Sequence, residues 1–272
     1  MRSMYQSSVQ LDEIEGLDLA VFEGRIHVID RPGPELEYAI RYLRNQKVIG
    51  FDTESRPCFS PDQPKYGVSL LQLSGAKEAF LFRIKLLGLD KRLCKLMANK
   101  NIIKVGAAVH DDLRGLQRYC QFEPSNFVDL QKIVWEYGIK DKSVKKMSAI
   151  ILGVKISKTQ QLSNWEADVL SEPQQKYAAT DAWVCREMYN KLMKSEKAPL
   201  SEEELHPHPV TPKIKVELAQ PVEVKTESMP EDGKTMSESK KRRREKRRRY
   251  FQRRYRNKKT GKINGKDNTE KR

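Results

Sequence analysis

Residues 48–55 of the chain read VIGFDTES. Its mostly apolar first half runs directly into Asp52, Thr53 and Glu54. Because the side chains of a strand alternate between its two faces, we expect Asp52 and Glu54 to share one face and Thr53 to point away. Two carboxylates in such a place repel each other, and each is costly to bury without a positive charge. The stretch therefore predicts either a structural salt bridge or a metal ion.

The composition of the 272-residue chain allows one ordinary domain with a long extension, or two small domains. The formal net charge is +15, and 14 basic residues with a single Glu lie in residues 240–259. Nearly all the excess charge is therefore confined to one short block. A block of this kind favours an anionic partner, such as nucleic acid or a membrane surface.

No apolar run approaches the ~18 residues that are needed to cross a bilayer, and the N-terminus lacks the apolar core of a signal peptide. The cysteines at 58, 94, 120 and 185 have spacings that match no zinc pattern. We therefore expect reduced thiols in an intracellular protein, located in the cytoplasm or, in a eukaryote, in the nucleus.

The order of the apolar patterns predicts an α/β domain with a mixed sheet, because strands come first and then alternate with helices. Strand patterns lie at residues 22–30, 47–53, 67–74, 78–82, 101–109 and 126–130. Helix patterns lie within 31–46 and at 89–100, 110–120, 130–138, 143–153 and 173–194. The composition turns polar after Ser195, so residues 196–239 are predicted to form a disordered linker. The predicted plan is an N-terminal extension (1–20), the α/β domain (21–195), the linker, and a basic tail (240–272).

Two further acidic positions follow apolar elements. His110, Asp111 and Asp112 open a helix directly after a buried strand, where one aspartate would serve as a helix cap but two exceed that need. Tyr177 and Asp181 are four residues apart in a long helix, so they share one face. Taken alone, the pair of Tyr177 and Asp181 is also consistent with a core tyrosine beside an exposed aspartate.

Together these three motifs resemble those of the DEDD superfamily of 3′–5′ exonucleases, in the subclass with Tyr in the third motif (DEDDy). The chain is most similar to the exonuclease module of Werner-type helicases and to ribonuclease D. The resemblance covers roughly residues 20–195 and includes FDTES, VSLLQLS, VGAAVHDDLRGL and YAATDAWVCREMY. It implies a ribonuclease H-like fold: a mixed, mainly five-stranded sheet flanked by helices.

The resemblance also implies a site. The metal carboxylates fall on Asp52, Glu54, Asp112 and Asp181, with Asp112 preferred over Asp111 because a Leu follows it. Oxygen ligands favour Mg²⁺ or Mn²⁺, with two ions per site for in-line phosphoryl displacement. Tyr177 is expected to orient the attacking water, since a pKa of ~10 makes it a poor base.

The implied activity is metal-dependent release of nucleoside 5′-monophosphates from the free 3′ end of DNA or RNA. Two other readings remain open: a catalytically silent scaffold that binds nucleic acid or ribonucleoprotein through the tail, and a structural adaptor. The tryptophans Trp135, Trp165 and Trp183 could stack on bases, although helical packing explains Trp135 and Trp183 equally simply.

The basic tail is predicted to bind nucleic acid, because its arginines suit phosphates and its aromatic rings suit unpaired bases. An import signal, contact with an anionic membrane and a solubility tail are the alternatives. The candidate binding residues are Arg242, Arg243, Arg244, Arg247, Arg248, Arg249, Tyr250, Phe251, Arg253 and Arg254.

Overall fold

The structure is a computed structural model that describes residues 4–60 and 66–205. Most of the predicted linker and all of the basic tail lie outside the described residues. In chain order the elements are α1 (Leu11–Glu15), β1 (Arg25–Ile29), α2 (Pro34–Arg44), β2 (Val48–Ser55), β3 (Val68–Ser74), β4 (Glu78–Arg83), α3 (Ile84–Leu87), α4 (Lys91–Met97), β5 (Ile103–Gly106), α5 (Val109–Gln117), β6 (Phe127–Asp129), α6 (Leu130–Ile133), a 3₁₀ turn (Val134–Tyr137), α7 (Val144–Leu152), α8 (Glu172–Leu192) and α9 (Glu202–Leu205).

The strands form one mixed sheet in the order β1-β4-β3-β2-β5-β6. Strand β3 runs antiparallel to β2 and β4, and the remaining pairs are parallel. The sheet has six strands where the resemblance implied mainly five, and each of the six apolar runs in the sequence supplies one. Strand β2 lies inside the sheet between β3 and β5, so its acidic end is placed at the middle of one edge.

Helices cover both faces of the sheet and create two cores. On one face, Ile49 and Phe51 of β2 pack with residues of α2, α4 and α5, including Leu36, Leu93 and Leu116. A second core contains residues of β5, α7 and α8. Because the side chains of β2 alternate, the even-numbered residues that end in Asp52 and Glu54 face α8.

Helix α8 approaches β2 closely at Gly50. A Cβ atom added to Gly50 would overlap the backbone carbonyl of Ala182. Ala182 immediately follows Asp181, so the missing side chain of Gly50 lets the helix bring Asp181 down to the end of β2. The beginning of the helix is fixed by Ser171, whose side chain and that of Gln174 form a capping box.

Segments on both sides of residues 21–195 contact the domain. In the predicted N-terminal extension, Ile14 is buried, and the Ala20 N–H donates to the Lys155 carbonyl at 2.8 Å. In the predicted linker, the Ala198 and Leu200 N–H groups donate to the carbonyls of residues 136 and 135, both at 3.0 Å. These backbone hydrogen bonds hold the beginning of that segment against the domain. Among the described helices, none is both long and apolar enough to cross a membrane.

Substitution of Gly50 by Ala should destabilise the domain by at least about 3 kcal/mol, the upper end for overpacked cores, because the new methyl group meets rigid backbone. Thermal unfolding of the variant beside the wild type measures the effect. Gly16→Ala is a matched control, because the nearest atom to its added Cβ is 3.7 Å away. Equal melting temperatures for Gly50→Ala and the wild type would contradict the close approach of α8.

Candidate active site

Three carboxylates meet where β2 ends beneath α8. Asp52 and Glu54 come from β2 and Asp181 comes from α8, and one oxygen of each lies within 4.8 Å of the others. Among the ion pairs of the described residues, none involves any of these three side chains. A structural salt bridge at VIGFDTES therefore has no basic partner in the described part of the chain. The three carboxylate ligands fit a cation site instead.

The electrostatics of the cluster follow from burial and mutual repulsion. Burial raises the pKa of Asp52 well above its ordinary value, and the charges of Asp181 and Glu54 raise it further. Burial, together with the charges of Asp181 and Asp112, raises the pKa of Glu54 to about 9. Burial raises the pKa of Asp181 to about 7, against a hydrogen bond from Tyr177 and the charge of Lys158. The metal-free cluster therefore retains protons that a divalent cation would displace.

Asp112, at the start of α5, lies near enough to this cluster for its charge to act on Asp52 and Glu54. It accepts a hydrogen bond from the Thr53 hydroxyl at 2.5 Å. Burial raises the pKa of Asp112 to about 6, and the Thr53 bond opposes that shift. Asp111 is exposed, so burial favours Asp112 as the functional member of the pair. Its oxygens are not part of the group of three, so ligation by Asp112 stays a prediction.

A strained turn delivers Asp112 to this position. Ala108, which precedes α5, has a φ of 58°, in the left-handed region. Its N–H donates to the carboxylate of Asp129 at 3.0 Å, and the same carboxylate oxygen accepts from the Gln131 N–H at 3.1 Å. The end of β6 thus fixes the turn after β5, so that α5 begins with its acidic residues at the edge of the sheet.

Tyr177 lies one helical turn before Asp181 and donates a hydrogen bond to that carboxylate. Burial raises the pKa of the Tyr177 hydroxyl, as do the negative charges of Asp181 and Glu54. The hydroxyl is therefore a proton donor at neutral pH and not a base. Its ring packs against Trp165, with centroids 5.9 Å apart. Trp165 is 0% exposed, so it offers no face to a base.

A cavity of about 320 Å³ opens over the carboxylates. Asp52, Glu54, Tyr177 and Asp181 line it together with Ser143, Ser157, Lys158 and Gln161. The last four residues belong to connecting segments or to a helix cap, and no periodic pattern in the sequence identified them.

Other residues that drew attention in the sequence do not line this cavity. His110 is exposed at the start of α5. Trp183 is half-buried, and its ring lies 6.0 Å from that of Phe22, so it belongs to the packing of α8 as expected. The ten tail residues from Arg242 to Arg254 that were predicted to bind nucleic acid lie outside the described residues.

Curated proteins related to this chain include several exonucleases. Exonuclease 3′–5′ domain-containing protein 2 of Drosophila melanogaster is 32% identical over 177 residues, which is 62% of this chain and 30% of that protein. The bifunctional 3′–5′ exonuclease/ATP-dependent helicase WRN of Mus musculus is 30% identical, over 55% of this chain and 11% of that protein. The chain thus spans less than a third of the length of these relatives.

Solved structures share the fold. The EXO domain of Aedes aegypti Nibbler superposes with a TM-score of 0.55 at 23% identity, covering 63% of this chain and 88% of that one. Trypanosoma brucei RNase D in complex with RNA U12 gives a TM-score of 0.57 at 20% identity, covering 66% of each chain. These likenesses confirm the fold that the resemblance implied, a mixed sheet flanked by helices.

A family model described as 3′–5′ exonuclease matches residues 31–196, more than half of the chain. The matched region includes every strand from β2 to β6 and both elements that carry the three carboxylates. The chain therefore belongs to the 3′–5′ exonuclease family.

Proposed function

We propose that this chain is a metal-dependent 3′–5′ exonuclease that releases nucleoside 5′-monophosphates from DNA or RNA. The single observation that carries the proposal is the group formed by Asp52, Glu54 and Asp181. These carboxylates are largely buried and without ion-pair partners in the described residues, and they lie in a cavity of a chain from this family. A fold that needed no cation would gain stability by replacing them.

The residues that would hold the ions are Asp52, Glu54 and Asp181, and we expect Mg²⁺ or Mn²⁺ because every donor is an oxygen. When bound, two such ions lower the pKa of a water molecule and neutralise charge on the phosphoryl oxygens. Asp52 would be the shared ligand, because it lies on the inner strand beside both other carboxylates. Asp112 would complete the ligand set from the start of α5, where its charge already acts on Asp52 and Glu54.

Tyr177 has a different role in this proposal. Its protonated hydroxyl already donates to Asp181 and faces the cavity, so it can hold and orient a water molecule or a phosphate oxygen. Lys158 lines the same cavity as a cation, which suits contact with the phosphate backbone of a substrate strand.

The substrate is a nucleic acid strand with a free 3′ end, and the choice between DNA and RNA is left open. The relatives include a DNA polymerase I of Aquifex aeolicus, whose name indicates DNA, and a ribonuclease D of Bartonella henselae, whose name indicates RNA. The alternative of a catalytically silent scaffold is weakened by the assembled cluster, since a scaffold has no use for repelling buried carboxylates.

Asp52→Asn should abolish cleavage and leave the fold intact, because it removes the charge of the shared ligand and keeps its shape. We expect turnover to fall at least 10³-fold, as for loss of a principal electrostatic group. The assay follows 5′-labelled single-stranded DNA and RNA with Mg²⁺, Mn²⁺ or EDTA.

The matched control is Asp111→Asn, an exposed aspartate outside the cluster, which should retain activity. Undiminished turnover of Asp52→Asn, with wild-type contamination excluded, would contradict the proposed mechanism. Product analysis in the same assay would also reveal a different reaction, through 3′-monophosphates or internal cleavage.

The stability of the metal-free protein should decrease as pH rises. The folded-state pKa values of Asp181, about 7, and Glu54, about 9, exceed their ordinary values, so the folded state binds more protons than the unfolded state between about pH 4 and pH 9. The free energy of unfolding therefore falls through this range and levels off above it. Thermal melts in EDTA at several pH values measure the effect.

Mn²⁺ should raise the melting temperature more at pH 8.5 than at pH 5.5, since only ionised carboxylates bind it. Asp52→Asn should show a shallower decline with pH, because it removes one member of the repelling group. A melting temperature in EDTA that rises steadily between pH 5 and pH 9 would contradict the assigned directions of these pKa shifts.

Deleting residues 240–272 should leave cleavage of short oligonucleotides nearly intact, because all the proposed catalytic side chains precede them. Binding to long nucleic acid should weaken, and the slope of log K against log[salt] should flatten by about 0.7–0.9 for each lost phosphate contact. Binding titrations at several salt concentrations measure the slope. An unchanged slope on both RNA and DNA would exclude the tail as a nucleic-acid anchor.

A further inference from the structure

Gln72 is a buried polar side chain without a hydrogen-bond partner among the described residues. It lies on β3 and is 0% exposed, yet neither its amide nitrogen nor its amide oxygen forms a hydrogen bond within the described residues. An unsatisfied buried amide destabilises a folded protein, and an apolar side chain of the same size would remove that penalty. Such a residue between Leu71 and Leu73 of a fully buried strand points to a role outside packing.

The register of the sheet places Gln72 directly opposite Asp52. The two residues are paired across the antiparallel strands β2 and β3, so their side chains project from the same face of the sheet. Residues paired in this way have Cβ atoms about 4.5–5.5 Å apart, which is within the reach of a glutamine side chain. The amide of Gln72 is therefore next to the carboxylate that the proposed mechanism places between two ions.

The other neighbours of Gln72 provide few hydrogen-bonding groups for its amide. On its far side Gln72 pairs with Leu81, and two residues along β3 lies Leu70. Both leucines belong to an apolar cluster with Trp165, Leu170 and Ala178. The indole nitrogen of Trp165 also lacks a partner within the described residues, but it can only donate and cannot receive the amide hydrogens.

Resting on the proposed function, we propose that Gln72 is a positioning residue for Asp52, whose carboxylate accepts a hydrogen bond from the Gln72 amide when that carboxylate holds a cation. An ionised carboxylate offers about four acceptor positions, and a cation occupies only those on its own side. The Thr53 backbone N–H already donates to Asp52. A second donor from Gln72 fixes the plane of the carboxylate and so the direction of its ligand oxygens.

Gln72→Met tests this role, because it keeps the length of the side chain and removes both polar atoms. In EDTA the melting temperature should stay the same or rise, since an unsatisfied amide is lost. The Mn²⁺ affinity, measured by calorimetry without substrate, should fall about 10–100-fold, as for other groups that orient metal ligands. Turnover at limiting Mn²⁺ should fall, and the KM for an oligonucleotide should be unchanged.

Leu81→Met is the matched control, because it introduces the same side chain in the same row of the sheet on the other side of Gln72. It should change neither the Mn²⁺ affinity nor turnover. Gln72→Leu is a second test, because it also lacks polar atoms but differs from Met in shape.

The outcomes separate this proposal from the proposed function. If the wild type neither binds Mn²⁺ nor cleaves nucleic acid, the proposed function fails, and the role of Gln72 fails with it. If the wild type binds Mn²⁺ and Gln72→Met binds it equally well, only the role of Gln72 is overturned. Unfolding of both Gln72→Met and Gln72→Leu in EDTA would show that the residue is structural, and would also overturn it.

Discussion

The repulsion among three largely buried carboxylates is the constraint on which the rest of the site depends. Oxygens of Asp52, Glu54 and Asp181 lie within 4.8 Å of one another, and no cationic side chain of the described residues forms an ion pair with them. Burial raises the pKa of all three, and the charge of Asp181 raises the pKa of Asp52 and Glu54 further. A protein can keep such a cluster only if its scaffold is rigid enough to resist the repulsion. Two of the carboxylates are accordingly on an inner strand and the third is on the longest helix of the described chain.

The scaffold meets this need through backbone contact. At Gly50 nothing separates β2 from the carbonyl of Ala182, so α8 cannot move toward the strand and its position is fixed by main-chain atoms. Flanking segments add to this support: the Phe22 N–H donates to the hydroxyl of Thr180 at 2.9 Å, one residue before Asp181. The residues outside the family match thus contribute to the position of a proposed metal ligand.

Much of this arrangement was predictable from the sequence, and the reasons are local. The two-residue period of a strand placed Asp52 and Glu54 on one face and Thr53 on the other, and the helical period placed Tyr177 beside Asp181. The segments that depend on tertiary contacts were not predictable. No periodic signal in the sequence marks the packing of residues 4–20 and 196–205 or the cavity-lining residues 157–161. Nor does one mark the division of the predicted helix at 130–138 into α6 and a 3₁₀ turn. The proposed role of the Gln72 amide was not predictable either, because it depends on the cross-strand register, which the sequence of one strand does not reveal.

The most direct test of this account is an anomalous-scattering experiment on crystals soaked with Mn²⁺, since it locates the cations without relying on activity. We expect Mn²⁺ peaks at ligand distance from oxygens of Asp52, Glu54 and Asp181, where Asp52 would contact both ions. Loss of these peaks in Asp52→Asn crystals would support the assignment. A map without a peak among the three carboxylates, at a pH where they are ionised, would contradict it.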